Sequence, residues 1–207
     1  MNYATEETYK GLNIKIAYDQ GAENPFLAWD CGPDIIGWHR RYDFNTRKED
    51  KNKEPEQFLR EAKEKGYIVL PLYMYDHSGI AFSTSKNGYP FNCPWDSGQY
   101  GFIFWTREKI EAGQGAGYCK RVTAKKKAFL IDQLIKSVEL LNQYVSGDVY
   151  GFIIENEDGE ELDSCWGFYG LDVCLEESRS VADYHADKKE EVNARVIEES
   201  RPDMYAV

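Results

Sequence analysis

Val149-Tyr150-Gly151-Phe152-Ile153-Ile154 is followed by Asn156-Glu157-Asp158-Gly159 and then by Glu161-Leu162-Asp163-Ser164-Cys165-Trp166-Gly167-Phe168. Both flanking runs are rich in strand formers, and Asp158-Gly159 suits the positive φ angles of a tight turn, so the stretch predicts an antiparallel hairpin. Just before it, residues 122–145 place Phe129, Ile131, Leu134, Ile135, Val138, Leu141 and Val145 at three- and four-residue spacing. Lys125, Lys126, Lys127, Lys136 and Gln143 are left to face water, which is the pattern of a long amphipathic helix, and Gly147 ends it. Strands, then a helix, then a hairpin predict an α+β fold: a largely antiparallel sheet covered on one face by the long helix.

Further out, Leu12, Ile14, Ile16 and Tyr18 alternate as one face of a half-buried strand. Pro55 near the start, early acids, late bases and Gly66 just past the end mark a short surface helix. Residues 67–75 form an apolar run in which Pro71 predicts a bulge or a sheet edge. Residues 80–85 and 100–106 read as further strands, with a turn signal at Asn87-Gly88. From about 175 to 199 the chain is charged, with Val181, Tyr184, Val192, Val196 and Ile197 as sparse apolar anchors of a partly docked helix. The expected organisation is one α+β domain over residues 1–175 and an acidic C-terminal helix or tail over 176–207. Tyr-Gly-Phe-Ile occurs at 100–103 and again at 150–153, too short a match to argue a duplication.

Residues 1–150 hold 20 acidic and 20 basic side chains, whereas residues 151–207 hold 16 acidic and 5 basic, so the net charge of −11 lies in the C-terminal part. That balance disfavours direct binding to phosphate backbones and points to basic protein partners or simply to a solvated tail. No apolar run approaches the roughly 20 residues of a membrane span. The first residues lack a basic and apolar leader, which predicts a cytoplasmic protein without membrane association. Five cysteines with no Cys-x-x-Cys spacing fit reduced thiols better than a disulfide framework or a zinc module.

Three segments concentrate chemistry: Asp76-His77-Ser78-Gly79, then Asn92-Cys93-Pro94-Trp95-Asp96-Ser97-Gly98-Gln99, then Asp163-Ser164-Cys165-Trp166-Gly167-Phe168-Tyr169-Gly170. A Cys93 nucleophile activated by His77 and oriented by Asp76 or Asp96 has the residue types of nucleophilic catalysis, although sequence spacing does not test contact. Against it, Cys93 reads equally as a small buried residue and His77 as a loop histidine. Cys31, His39, His77, Cys93 and Asp96 show no paired ligand spacing, and Gly113, Gly115 and Gly117 follow no phosphate-loop pattern, so neither metal nor cofactor is expected. Trp38-His39-Arg40-Arg41-Tyr42 interleaves aromatics with cations, suited to stacking or anion contacts, unless Trp38 and Tyr42 belong to the core. Trp95, Trp166, Phe168 and Tyr169 are candidate partner-binding anchors.

The runs Tyr75-Asp76-His77-Ser78-Gly79, Cys93-Pro94-Trp95-Asp96-Ser97-Gly98-Gln99, Gly147-Asp148-Val149-Tyr150-Gly151-Phe152 and Asp163-Ser164-Cys165-Trp166-Gly167-Phe168-Tyr169-Gly170 resemble a family of uncharacterised bacteriophage and mobile-element proteins. With residues 38–42 the likeness spans about 30–175. The resemblance carries no established activity; it implies a phage accessory role. Small acidic phage proteins often block a host nuclease or defence complex, as anti-CRISPR and anti-restriction proteins do. Two expectations of different class follow. One is a non-enzymatic inhibitor of a host defence protein, engaging it through Glu190, Glu191, Glu198 and Glu199 with the tryptophans as anchors. The other is an enzyme acting on a small molecule or nucleotide through His77, Cys93, Asp76 and Asp96.

Overall fold

The computed structural model describes residues 3–29, 32–84, 90–93, 95–114 and 121–199, of which 193–199 by backbone alone. The chain divides into two compact units. Met1–Ala22 and Gly147–Val207 form a split unit, and Glu23–Ser146 form an inserted unit. This differs from the expected division at residue 175. An inserted unit leaves and re-enters its host at two points, here after Ala22 and before Gly147.

The split unit has strands β1 (Tyr3–Tyr9), β2 (Leu12–Tyr18), β7 (Val149–Glu155) and β8 (Glu161–Tyr169), ordered β1-β2-β7-β8. Every neighbouring pair is antiparallel. The predicted hairpin is present: Gly159 has φ +81° and donates to the Asn156 carbonyl, while Asn156 Oδ1 accepts from the amides of Asp158 and Glu160. The polar strand β1 carries no apolar alternation and was not foreseen. Lys10 and Gly11, both at positive φ, turn it back on β2 as a two-residue hairpin loop.

Helix α5 (Leu171–Glu199) covers one face of this sheet. Leu12, Ile14, Ile16, Tyr150, Phe152 and Ile154 pack there with Cys174 and Ala182, flanked by Leu171, Leu175 and Val181. The helix docks through Cys174, Ser178 and Ala182, four residues apart and each 0% exposed, so small side chains rather than large ones set the approach. Of the foreseen anchors, Val181 packs on this core, Tyr184 and Val192 are exposed, and the side chains of Val196 and Ile197 lie outside the described residues. A 29-residue helix is about 43 Å long, against about 30 Å for the nine-residue β8, so α5 overruns the sheet it covers.

The inserted unit has strands β3 (Asp34–Gly37), β4 (Ile68–Asp76), β5 (Ile80–Thr84) and β6 (Ser97–Trp105), ordered β3-β6-β4-β5 and antiparallel throughout. Its helices are α1 (Pro25–Ala28), α2 (Pro55–Glu64), α3 (Arg107–Glu111) and α4 (Ala124–Ser146). The long helix α4 covers one face through Leu130, Leu134, Val138 and Leu141, while Phe129 is turned outward. Asn142 clips α4 to edge strand β5, accepting from the Phe82 amide and donating to its carbonyl. Phe58 and Ala62 of α2 pack on the other face against Ile36, Phe102 and Phe104. Both units are thus α+β, an antiparallel sheet under a long helix.

Pro71 sits on a central strand, not an edge, and the bulge it announced is beside it: Leu72 pairs with Gly101 and Tyr73 with Gln99, leaving Tyr100 as the extra residue.

Candidate functional site

The bulge at Tyr100 shapes the end of the inserted unit's sheet where the sequence motifs meet. Strands β3 and β6 approach closely at the Gly37–Gly101 pair: a Cβ on Gly101 would lie 1.9 Å from the Ile36 carbonyl oxygen, and one on Gly37 would lie 2.1 Å from the Tyr100 ring. Only glycine fits at either position. The Tyr100 ring therefore lies flat against β3, and its hydroxyl accepts from the Phe44 amide at 2.8 Å. Burial pushes that hydroxyl up to about 12, against the downward pull of the Phe44 bond.

The segment after β3 is folded back and pinned. Asn45 bonds both backbone groups of Gly37, and Thr46 pairs with Ile35. The residues between are held at the mouth of the sheet. His39 Nδ1 accepts from the amides of Arg41 and Tyr42, and its ring stacks on Tyr42. Arg41 forms an ion pair with Asp76, whose other oxygen accepts from the Tyr42 hydroxyl at 3.3 Å. Trp38 does not present its face: its Nε1 donates to the Lys53 carbonyl and its ring packs edge-on against Phe58 and Phe102. Tyr42 is half-buried against the core, so the foreseen stacking platform reduces to exposed Arg40 and to Arg41.

The four candidate catalytic residues do converge, in an order that differs from a nucleophile–base–carboxylate relay. Asp96 Oδ2 accepts from Cys93 Sγ at 3.3 Å and faces His77 Nδ1 at 3.3 Å, while Asp76 takes Arg41 instead. The carboxylate stands between thiol and imidazole. A thiol that donates to a carboxylate gains no base from it, because a second negative charge beside the first is disfavoured. The Asp76 amide donates to the Asp96 carbonyl at 2.7 Å, and the Ser97 hydroxyl to the Cys93 carbonyl, so the two loops form one body.

Of the four candidate catalytic residues, Asp76 and Asp96 line a cleft of about 280 Å³ together with His39, Arg41, Trp95 and Gln99 among others, whereas His77 and Cys93 are not among its lining residues. Trp95 stands 92% exposed at its rim. Gly98 also lines it, and a Cβ there would meet nothing within 4 Å. Gly98 and Gln99 precede the strand read at 100–106, and only the start of β6 at Ser97 puts this glycine inside a strand with no turn to serve.

In the split unit, the candidate anchors lie on strand β8 rather than on a loop. Tyr169 is buried, Phe168 packs beneath α5, and Trp166, 41% exposed, lies across Gly151. Phe168 and Tyr169 are therefore core residues. Glu190 and Glu191 are exposed on α5, and the side chains of Glu198 and Glu199 lie outside the described residues. Cys165 is exposed, while burial, with Cys165 nearby, pushes the Cys174 thiol up to about 12. Among the described residues, no three His, Cys, Asp or Glu side chains gather as a metal site, and no helix is long and apolar enough to cross a membrane. No family model, curated protein or solved structure matches the chain.

Proposed function

We propose that the protein is a phage accessory protein of anti-defence type, anti-CRISPR or anti-restriction in kind, which blocks a basic host defence protein in the bacterial cytoplasm by binding it. The observation that carries this reading is the charge of the split unit. It holds 20 acidic against 7 basic side chains, −13 in all, whereas the inserted unit holds 16 against 18. On α5, Asp172, Glu176, Glu177, Glu190 and Glu191 are exposed and enter no ion pair among the described residues. A rigid helix with uncompensated carboxylates complements a cationic groove of the sort that grips nucleic acid, and repels nucleic acid itself. The enzymatic alternative loses ground because Asp96, not His77, faces the Cys93 thiol.

Affinity capture from a bacterial lysate at low and high salt tests this. The expected result is one stoichiometric partner, released by salt and retained by a His77→Ala, Cys93→Ala double variant. A variant with Glu176, Glu177, Glu190 and Glu191 all changed to Lys loses it. Equal retention by the charge-reversed protein at low salt, or no partner at all, sinks the reading.

A further inference from the structure

We infer that the cleft of the inserted unit is a socket for a guanidinium group, the arginine side chain of a basic partner. The inference goes beyond the proposed function, since it concerns the other unit and holds whether or not α5 binds anything.

Three features of the cleft point the same way. The first is open space. Gly98 lies exposed in strand β6, has no positive φ, and a Cβ there would meet nothing within 4 Å, unlike Gly37 and Gly101, which packing demands. A strand glycine of that kind weakens the strand and marks where another group approaches. The second is Trp95, whose indole is 92% exposed on the cleft rim and offers an open π-face. An exposed indole loses apolar burial unless something stacks on it.

The third is the balance of polar atoms. Arg41 and Asp76 neutralise one another, and Asp96 is the remaining carboxylate of the lining. Asp96 Oδ2 is taken by Cys93 and His77, and no described residue donates to Oδ1. Gln99 donates through Nε2 to the Gly101 carbonyl, which leaves its Oε1 as an acceptor. A ligand that meets a carboxylate oxygen, an amide oxygen and an indole face is planar, positively charged and rich in N–H donors. Guanidinium has all three properties and stacks on indole. An ammonium lacks the plane. A neutral nucleobase would stack on Trp95 but leave the Asp96 charge without a counterpart.

The test is a titration of the full chain with N-acetylarginine amide, beside its neutral isostere N-acetylcitrulline amide and beside cytidine, read by ¹H–¹⁵N shifts including the tryptophan indole N–H signals. The expected result is a saturable shift with the arginine compound, at least tenfold weaker with citrulline and with cytidine. Binding falls at least tenfold in Asp96→Asn, in Trp95→Ala and in Gly98→Val, whose side chain takes up part of the cleft. Trp95 is too exposed for its removal to disturb folding, so that variant decides the matter if Gly98→Val or Asp96→Asn fails to fold. Citrulline or cytidine binding as tightly as arginine, wild-type affinity in Trp95→Ala, or no saturable shift with any compound overturns the proposal. Lysine charge reversal on α5 leaves this titration unchanged, which separates its failure from that of the acidic-helix reading.

Discussion

Tyr-Gly-Phe-Ile stands at 100–103 in β6 of the inserted unit and at 150–153 in β7 of the split unit, and the two copies serve different needs. In β6 the tyrosine is the bulged residue, and the glycine admits the backbone of β3, with Ile36 O 1.9 Å from where a Cβ would sit. In β7 the tyrosine pairs in register with Phe168 and packs under α5, and the glycine makes room chiefly for the Trp166 indole, 2.2 Å from its would-be Cβ. The same contrast holds for the whole units. Both are four antiparallel strands under a long helix, yet α4 docks through leucines and valine while α5 docks through cysteine, serine and alanine. One plan thus supports a near-neutral unit with a cleft and a strongly acidic unit with an exposed helix. Architecture sets neither chemistry; the residues left outside the core do.

The sharpest way to break this comparison is to add one methyl to each glycine. Gly101→Ala would drive Cβ into main chain that cannot yield, and is expected to cost on the order of 3 kcal/mol in urea unfolding. Gly151→Ala presses mainly on a half-exposed indole that can swing aside, with the Cys165 carbonyl at 2.9 Å, and is expected to cost about 1 kcal/mol. Equal losses would mean that the two tetrapeptides serve one role. The next test addresses how α5 docks. Ala182→Leu must lift the helix from its sheet and is expected to cost about 2 kcal/mol, whereas Tyr184→Ala, two residues on, stays within about 0.5 kcal/mol. A reversed order would return the docking to the large side chains.

The smallest effect concerns acid. Burial raises the Asp50 carboxyl, but the Lys53 hydrogen bond and the Arg47 charge outweigh it and leave the group below its ordinary 3.8. A carboxyl that ionises at lower pH in the folded state stabilises fully above the unfolded value and loses that contribution as pH falls through the folded one. Asp50→Asn should therefore cost about 1 kcal/mol at pH 7 and flatten the stability decline below pH 4 in a pH series of thermal unfolding. A variant with the wild-type slope would show that this pair, specific to the inserted unit, does not contribute to its acid sensitivity.

Much of the secondary structure was legible because its signals are local. The alternation of Leu12, Ile14 and Ile16, the Asp158-Gly159 turn and the three- and four-residue spacing of Leu134, Val138 and Leu141 each declare themselves within a few residues, although Leu130, not Phe129, takes the buried place at the start of the helix. Strand β1 was not legible, since an edge strand with the sequence Tyr-Ala-Thr-Glu-Glu-Thr-Tyr needs only one hydrogen-bonded neighbour and no apolar face of its own. The residues of the cleft were largely named in advance, because loops that mix carboxylates, imidazole and indole are where sites form. Their arrangement was not: whether Asp96 or His77 meets the Cys93 thiol depends on ångström-scale placement of loops from two different strands.

The sequence by itself determined the α+β class, a long helix at 122–145 that the structure has at Ala124–Ser146, the closing hairpin and the acidic C-terminal part. These follow from periodicity, turn chemistry and charge, each set by neighbours along the chain. Only the tertiary structure decided that one unit interrupts the other and that β2 pairs with β7 across 130 intervening residues. It also decided that Gly98, Trp95 and Asp96 face one cleft. Pairing between distant segments is chosen by the burial and hydrogen bonding of both at once, and neither segment carries that choice alone.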